Sequence, residues 1–127
     1  MVAWTEYREI ARKRGALALE LYVVESRPLN PEKIREVLPD HLAWQRELEE
    51  RGALVMAGPL SDETGEEMTG GGMIVYRADS MQAARALAEA DPMHAGGARS
   101  FTLRRWLVNE GRLKIDVGLS TGIGRLS

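Results

Sequence analysis

Cysteine is absent from this chain of 127 residues, and histidine occurs only twice. Without thiols the protein has no disulfide, no cysteine nucleophile and no cysteine-based zinc site, which suits a reducing compartment, so we expect a cytoplasmic protein. The two histidines, His41 and His94, lie far apart in sequence, which disfavours a histidine-rich metal site. A site built from carboxylates alone stays open, but no residue pattern supports it, and we expect no bound metal.

Excess charge and long apolar runs are also missing. The chain has 17 basic and 19 acidic residues and a formal net charge of -2, whereas nucleic-acid-binding proteins usually carry a clustered basic surface. No stretch approaches the roughly 18 apolar residues of a membrane span, and residues 1–15 lack the apolar core of a signal peptide. We therefore expect neither a nucleic-acid partner nor a membrane partner.

Two glycine-rich runs do not fit the motifs that bind nucleotides. The run Gly70-Gly71-Gly72 lacks the lysine and the following helix of a phosphate loop, and residues 118–124 lack a strand-turn-helix context. The first run instead suits a sharp entry into a strand, because glycine tolerates unusual backbone angles. With no nucleotide motif in the chain, we expect no cofactor.

Hydrophobic periodicity and turn residues predict a mixed α+β chain. The predicted elements are, in order, a helix over 3–14, a strand over 16–26, a helix over 31–51, strands over 54–58 and 72–78, a helix behind an N-cap at Ser80 that runs to Ala90, a short helix over 92–96 and a strand over 99–109. Pro39 is expected to break the second helix near Leu38. Residues 59–70 are polar and acidic and are expected to form a connecting loop.

The predicted order β-α-β-β-α-β is typical of the ferredoxin-like plan with an antiparallel sheet. We expect a single domain over residues 1–127, with a core at about 16–110, an extra N-terminal helix over 3–14 and a C-terminal extension over 111–127 that contains a strand near 113–117. The two long helices would cover one face of the sheet. The other face carries too many large apolar residues to lie in water, so we expect it to pack against a second copy in a homodimer.

His41 is the most informative residue of the second helix. Helical spacing places it in the middle of an apolar stripe, which consists of Ile34, Leu38, His41, Gln45 and Leu48 with Leu42 and Trp44 on its flanks. A buried imidazole without a hydrogen-bond partner costs about 1–3 kcal/mol, so the fold must supply one. Two interpretations follow: a core histidine with a satisfied ring, or a general base that a carboxylate orients.

Asp91 is the candidate carboxylate partner. Its sequence context, Asp91-Pro92, is also that of an ordinary helix cap, so a purely structural role is open. In the predicted fold, however, the end of the second long helix and the middle of the first lie on the same side of the sheet. A contact between His41 and Asp91 is therefore geometrically reasonable.

Four further residues are candidate substrate contacts, each with a structural alternative. His94 is either a second proton-transfer or anion-binding group or a partly exposed surface histidine. Arg99 either holds a substrate carboxylate or forms a surface salt bridge. Ser80 is expected to cap its helix rather than act as a nucleophile. Pro59, in the segment Gly58-Pro59-Leu60-Ser61, belongs either to a tight turn, which we favour, or to the lip of a pocket.

Several short segments, taken together, resemble the YciI-like (YCII-related) family. They are Leu38-Pro39-Asp40-His41-Leu42, Gly58-Pro59-Leu60, Ala78-Asp79-Ser80, and Asp91-Pro92-Met93-His94-Ala95 through Arg99-Ser100-Phe101 to Trp106. The resemblance covers about residues 16–110 and implies a ferredoxin-like fold of the dimeric α+β barrel type. It also implies a pocket with a His–Asp pair, at His41 and Asp91. One relative in the family is a dehydrochlorinase of chlorinated hydroxyhydroquinones, in which such a pair is thought to serve proton transfer.

The expected function is that of a small enzyme that works without a cofactor. His41 would move a proton on a small cyclic or aromatic oxygenated substrate, as in a dehydrochlorinase, lyase or isomerase, and Asp91 would orient its imidazole ring. The alternative is a non-catalytic module that binds a small ligand or serves dimerisation.

Overall fold

The structure, a computed structural model, describes residues 1–127. Its elements are, in chain order, α1 (Trp4–Lys13), β1 (Leu19–Pro28), α2 (Pro31–Glu50), β2 (Leu54–Ser61), β3 (Met68–Tyr76), α3 (Met81–Ala90), α4 (Pro92–Ala95), β4 (Arg99–Val108), β5 (Ile115–Val117) and β6 (Gly124–Leu126). None of the helices is both long and apolar enough to cross a membrane.

Four strands form one sheet in the order β2-β3-β1-β4. Strand β1 pairs antiparallel with β3, with Tyr22 opposite Tyr76, and β2 pairs antiparallel with β3, with Gly58 opposite Met73. This order, with helical connections after β1 and β3, is the split βαβ arrangement. The predicted α+β, ferredoxin-like fold is confirmed.

The core forms where α2 and α3 cover one face of this sheet. Alternate residues of β1 and β3 point into it, as period-2 strand geometry requires. Its buried members are Tyr22, Val24, Leu48, Ile74, Tyr76, Ala84, Ala88 and Leu103. The two alanines of α3 allow that helix to lie close to the sheet, and full burial of a side chain such as Leu48 contributes about 1.5–3 kcal/mol.

The chain divides into two compact units. Residues 20–106 form the unit that holds most of the four-stranded sheet and helices α2, α3 and α4. Residues 1–19 and 107–127 form the other, which contains α1 and a small hairpin of β5 and β6. The strand expected near 113–117 is present, whereas its partner β6 was not predicted. The assignment of the whole chain to a single domain stays a prediction.

The predicted break in the second helix is wrong, since α2 runs without interruption through Pro39. A proline removes one helical hydrogen bond and crowds the carbonyl of the fourth residue before it. Pro39 is exposed, while Val37 and His41 on the packed side are half-buried. The lost hydrogen bond therefore lies on the solvent side of α2, while packing on the other side stabilises the helix.

The loop expected over 59–70 is also wrong at both of its ends. Strand β2 continues through Pro59 to Ser61, so this segment is not a tight turn, and β3 begins at Met68. Proline is tolerated here because β2 is an edge strand, where a missing N–H need not disturb pairing on both sides. The reversal lies in residues 62–67, where the Asp62 carboxylate accepts hydrogen bonds from the N–H groups of Thr64 and Gly65.

Candidate active site

A cavity of about 370 Å³ lies between α2, the sheet and α4 within the unit of residues 20–106. Its lining is mostly apolar or backbone, and few of its side chains are polar. The lining residues are Ser26, Ile34, Leu38, His41, Leu42, Gln45, Ala57, Gly58, Pro59, Met68, Gly70, Gly71, Gly72, Met73, Ile74, Asp91, Met93 and Arg99.

Most of the stripe predicted for α2 lies on its packed side, since Leu48 is buried and Ile34, His41 and Gln45 are half-buried. Leu38, predicted in the stripe, and Leu42, predicted on its flank, are instead 42% and 55% exposed. The two exposed leucines line the cavity, which explains why α2 carries large apolar residues away from the core. His41 lies between the core-facing side of α2 and these two leucines, and it also lines the cavity.

His41 and Asp91 are in direct contact. The distance between His41 Nδ1 and Asp91 Oδ1 is 2.8 Å, although 50 residues separate them in sequence. The side chain of His41 is 16% exposed and that of Asp91 is fully buried. Because an ionised carboxylate only accepts hydrogen bonds, Nδ1 carries a proton, and in the neutral ring the free lone pair lies on Nε2. Nε2 has no hydrogen-bond partner in the chain.

Asp91 is placed by the junction of two helices. It ends α3 and caps α4, where its Oδ1 accepts the N–H of Met93 at 2.9 Å. The predicted cap and the predicted contact with His41 are thus both present, on the same oxygen. Oδ2 is buried and has no hydrogen-bond partner. The charge of Asp91 also adds to the effect of burial, which raises the pKa of the Tyr76 hydroxyl well above its ordinary value.

His94 is not a surface histidine. Its Nδ1 lies 2.8 Å from the carbonyl of Ala88, so Nδ1 donates, and its Nε2 lies 2.9 Å from Ser26 Oγ. The ring also packs against Phe101, with 4.7 Å between ring centroids. Burial lowers the pKa of His94 below its ordinary value, even though Ala88 and Asp91 favour the charged form. Neutral His94 therefore accepts the Ser26 hydroxyl proton, and neither of its nitrogens is left for a substrate.

Arg99 lines the cavity and is held by neutral acceptors. Its Nε donates to Ser26 Oγ at 2.8 Å, and its Nη2 donates to the carbonyls of Ser26 and Gly70. It forms no salt bridge with a carboxylate, so the alternative of a surface salt bridge is wrong. Ser26 thus connects Arg99 to His94. No sequence pattern predicted a role for Ser26, whose only signal is a polar residue among the alternating apolar residues of β1.

The remaining two candidates lie in different places. Pro59 lines the cavity from β2. Ser80 is not among the lining residues, and its Oγ accepts the N–H of Ala83 at 3.0 Å as the N-cap of α3. The predicted cap is confirmed, whereas the structure does not bring Ser80 to the cavity.

Comparison with known proteins places this chain in a family. The YCII-related domain matches residues 18–107, which span α2, α3, α4 and all of the four-stranded sheet except the last residue of β4. The chain belongs to the YCII-related family. Among its relatives, Protein YciI of Escherichia coli O6:H1 is 35% identical over 83 residues, covering 61% of this chain and 85% of YciI. The uncharacterized protein YjpA of Bacillus subtilis is 33% identical over 72 residues, covering 57% of this chain and 78% of YjpA.

A solved structure shares the YCII-related fold. It is 5-chloro-2-hydroxyhydroquinone dehydrochlorinase (TftG) from Burkholderia phenoliruptrix, in complex with 2,5-dihydroxybenzoquinone. The two structures superpose with a TM-score of 0.55 and 18% sequence identity, over 68% of this chain and 92% of that one. The likeness supports the predicted dimeric α+β barrel type of fold.

Proposed function

We propose that this protein is a small acid–base enzyme in which His41 moves a proton on a cyclic or aromatic oxygenated substrate bound in the cavity. The observation that carries this proposal is the contact of 2.8 Å between His41 Nδ1 and the buried carboxylate of Asp91. The opposite ring nitrogen, Nε2, has no hydrogen-bond partner, and the His41 side chain lines the cavity.

In this proposal Nε2 is the base. When it takes a proton from the substrate, the ring becomes a cation, and the charge of Asp91 stabilises that cation across a short hydrogen bond. The same contact keeps the ring in the tautomer that has its lone pair on Nε2. A positioned general base of this kind contributes roughly 10²- to 10⁴-fold to a reaction rate. His41 and Asp91 supply this chemistry without a cofactor.

The size and lining of the cavity support a small substrate. A volume of about 370 Å³ lies at the low end of the roughly 300–1,000 Å³ of ligand pockets. Leu38, Leu42 and Ile74 offer apolar surface for a ring. TftG, which shares the fold, is a dehydrochlorinase of a hydroxyhydroquinone. A chlorinated hydroxyhydroquinone is therefore the first substrate class to test. The first reaction to test is loss of hydrogen chloride, in which His41 Nε2 takes the substrate proton and the C–Cl bond breaks to release chloride.

We also propose that the protein is a homodimer. The sheet face opposite the core carries Val23, Met73 and Trp106, of which Trp106 is 43% exposed. Packing this face against a second copy would remove these side chains from water. Sedimentation at several concentrations would test this proposal, with Trp106→Glu expected to shift the protein toward monomer. A monomer at all concentrations of the unsubstituted protein would contradict it.

The experiment that tests the enzymatic proposal is chloride release from 5-chloro-2-hydroxyhydroquinone and related ring compounds. We expect His41→Gln to lower turnover by about 10²-fold or more, because glutamine fills a similar space but is no base near neutral pH. Arg35→Gln is the matched control, since Arg35 is an exposed residue of the same helix. Full turnover by His41→Gln would refute the proposal. Unchanged binding with no turnover by either protein would favour the non-catalytic module.

A further inference from the structure

Arg99 carries a positive charge in the candidate active site that no hydrogen-bonded carboxylate balances. The only acidic residue of the cavity lining is Asp91, and its bonded oxygen is already shared by His41 and the N–H of Met93. Burial lowers the pKa of Arg99, an effect that exceeds the opposite effect of the Asp91 charge. An arginine nevertheless stays protonated in proteins, so the half-buried charge is retained.

The hydrogen bonds of Arg99 leave one side of its guanidinium group available. Nε and Nη2 are bonded to Ser26 and to the carbonyl of Gly70. Nη1 has no partner in the chain. A guanidinium group presents five N–H donors in a fixed plane, so the two hydrogens of Nη1 remain for a ligand.

The group is also held in place before any ligand arrives. Ser26 Oγ accepts from Arg99 Nε and donates to His94 Nε2, while His94 Nδ1 donates to Ala88. The chain of hydrogen bonds therefore has a donor and an acceptor at every step. Since a fixed arginine loses little side-chain entropy on binding, the arrangement favours a bound anion over a flexible surface ion pair.

We propose that Arg99 is an anion-binding residue of this cavity, and that the ligand is a single-ring organic monoanion whose carboxylate or ring oxyanion accepts from Nη1. Ser26 and His94 are positioning residues for Arg99. Arg99 has no carboxylate bonded to it, which suits a ligand with one negative charge. The apolar lining suits a ligand with one ring. This inference rests on the proposed function and narrows its substrate class to anions.

The test compares benzoate with benzamide, which has the same ring and nearly the same shape but no charge. We expect the protein to bind benzoate at least about tenfold more tightly, as measured by NMR titration, with the Arg99 Nε–H signal moving for benzoate and not for benzamide. Equal affinity for the two ligands, or no benzoate-induced shift of the Arg99 signal, would overturn the proposal.

Variants locate the effect. Arg99→Gln is expected to abolish the preference for benzoate and to leave benzamide binding unchanged, whereas Arg85→Gln, at an exposed position of α3, keeps the preference. Persistence of the preference in Arg99→Gln would overturn the proposal. If Arg99→Gln does not fold, the titration of the unsubstituted protein decides alone.

His41→Gln separates this inference from the proposed function. It is expected to keep the benzoate preference while losing turnover, because it leaves Arg99 unchanged. A benzoate preference without turnover of any ring compound would defeat only the proposed function. Turnover that depends on His41 without a benzoate preference would defeat only the inference about Arg99.

Discussion

The two histidines of this chain lie in the same compact unit and differ in how their rings are bonded. His41 donates from Nδ1 to a buried carboxylate and has no partner at Nε2. His94 uses both nitrogens on neutral partners, the Ala88 carbonyl and the Ser26 hydroxyl. The first ring can take up a proton from a ligand and has a negative charge to stabilise the result. The second ring can do neither without breaking a hydrogen bond.

The difference shows that residue type and burial do not identify a proton-transfer group. Both rings are partly buried on elements that contact the same cavity region, and both have a short hydrogen bond from Nδ1. What separates them is the charge of the Nδ1 partner and the availability of Nε2. We therefore expect changes around His41 to act on turnover, and changes around His94 to act on stability and on anion binding.

Asp91→Asn is expected to cause a large loss of turnover. The amide retains the shape of the side chain and can still cap α4, but it removes the negative charge beside His41 Nδ1. Without that charge, the imidazolium that forms when Nε2 takes a proton is no longer stabilised, and the preference for a proton on Nδ1 weakens. We expect turnover to fall by about 10²- to 10⁴-fold, and the ¹⁵N shifts of His41 to report the changed tautomer.

Asp40→Asn is the matched control for Asp91→Asn. Asp40 is adjacent to His41 in sequence but is exposed. The Asp40→Asn substitution also removes one negative charge from the protein. We expect it to leave turnover and the His41 tautomer unchanged. Equal effects of the two substitutions would mean that net charge, rather than the contact with His41, controls the site.

The sequence allowed the residues of the His41–Asp91 contact to be predicted because each carries a local signal. Asp91-Pro92 is a helix start, and His41 interrupts an apolar stripe. The order of elements then brings the two helices to one side of the sheet. The network of Arg99 could not be predicted in the same way, because it depends on Ser26, 73 residues away, and on a backbone carbonyl, which has no sequence signal.

Two wrong predictions about the fold have the same physical origin. Their local preferences predict interruptions at Pro39 and Pro59, yet Pro39 lies within α2 and Pro59 lies within β2. Packing on the opposite side of α2 and the edge position of β2 decide the outcome, and both are tertiary facts. Local rules predicted elements well where caps and periodicity agreed, as at Ser80, and failed where a proline stood against the tertiary environment.

His94→Gln is expected to have a smaller effect, on stability. Loss of the bonds to Ala88 and Ser26 should lower the free energy of unfolding by about 1–2 kcal/mol near neutral pH. Because burial lowers the pKa of His94 in the folded chain, the unfolded chain binds a proton first as the pH falls. The contribution of His94 is therefore present above the unfolded pKa of about 6.5 and is lost at lower pH.

The measurement is denaturant unfolding of the unsubstituted protein and of His94→Gln between about pH 8 and pH 5. We expect the difference in free energy of unfolding to narrow as the pH falls. A constant difference across this range would show that His94 carries the same charge in the folded and unfolded chains, contrary to its neutral role beside Ser26.

Ser80→Ala is expected to have the smallest effect, and it provides the reference for a hydrogen bond that is purely structural. Its Oγ caps α3 through the N–H of Ala83, and loss of an N-cap costs about 1 kcal/mol. Ser80→Thr, which can still cap, should keep most of that stability. Neither variant should change turnover or benzoate binding, because Ser80 does not line the cavity. A loss of turnover in folded Ser80→Ala would return Ser80 to the substrate contacts.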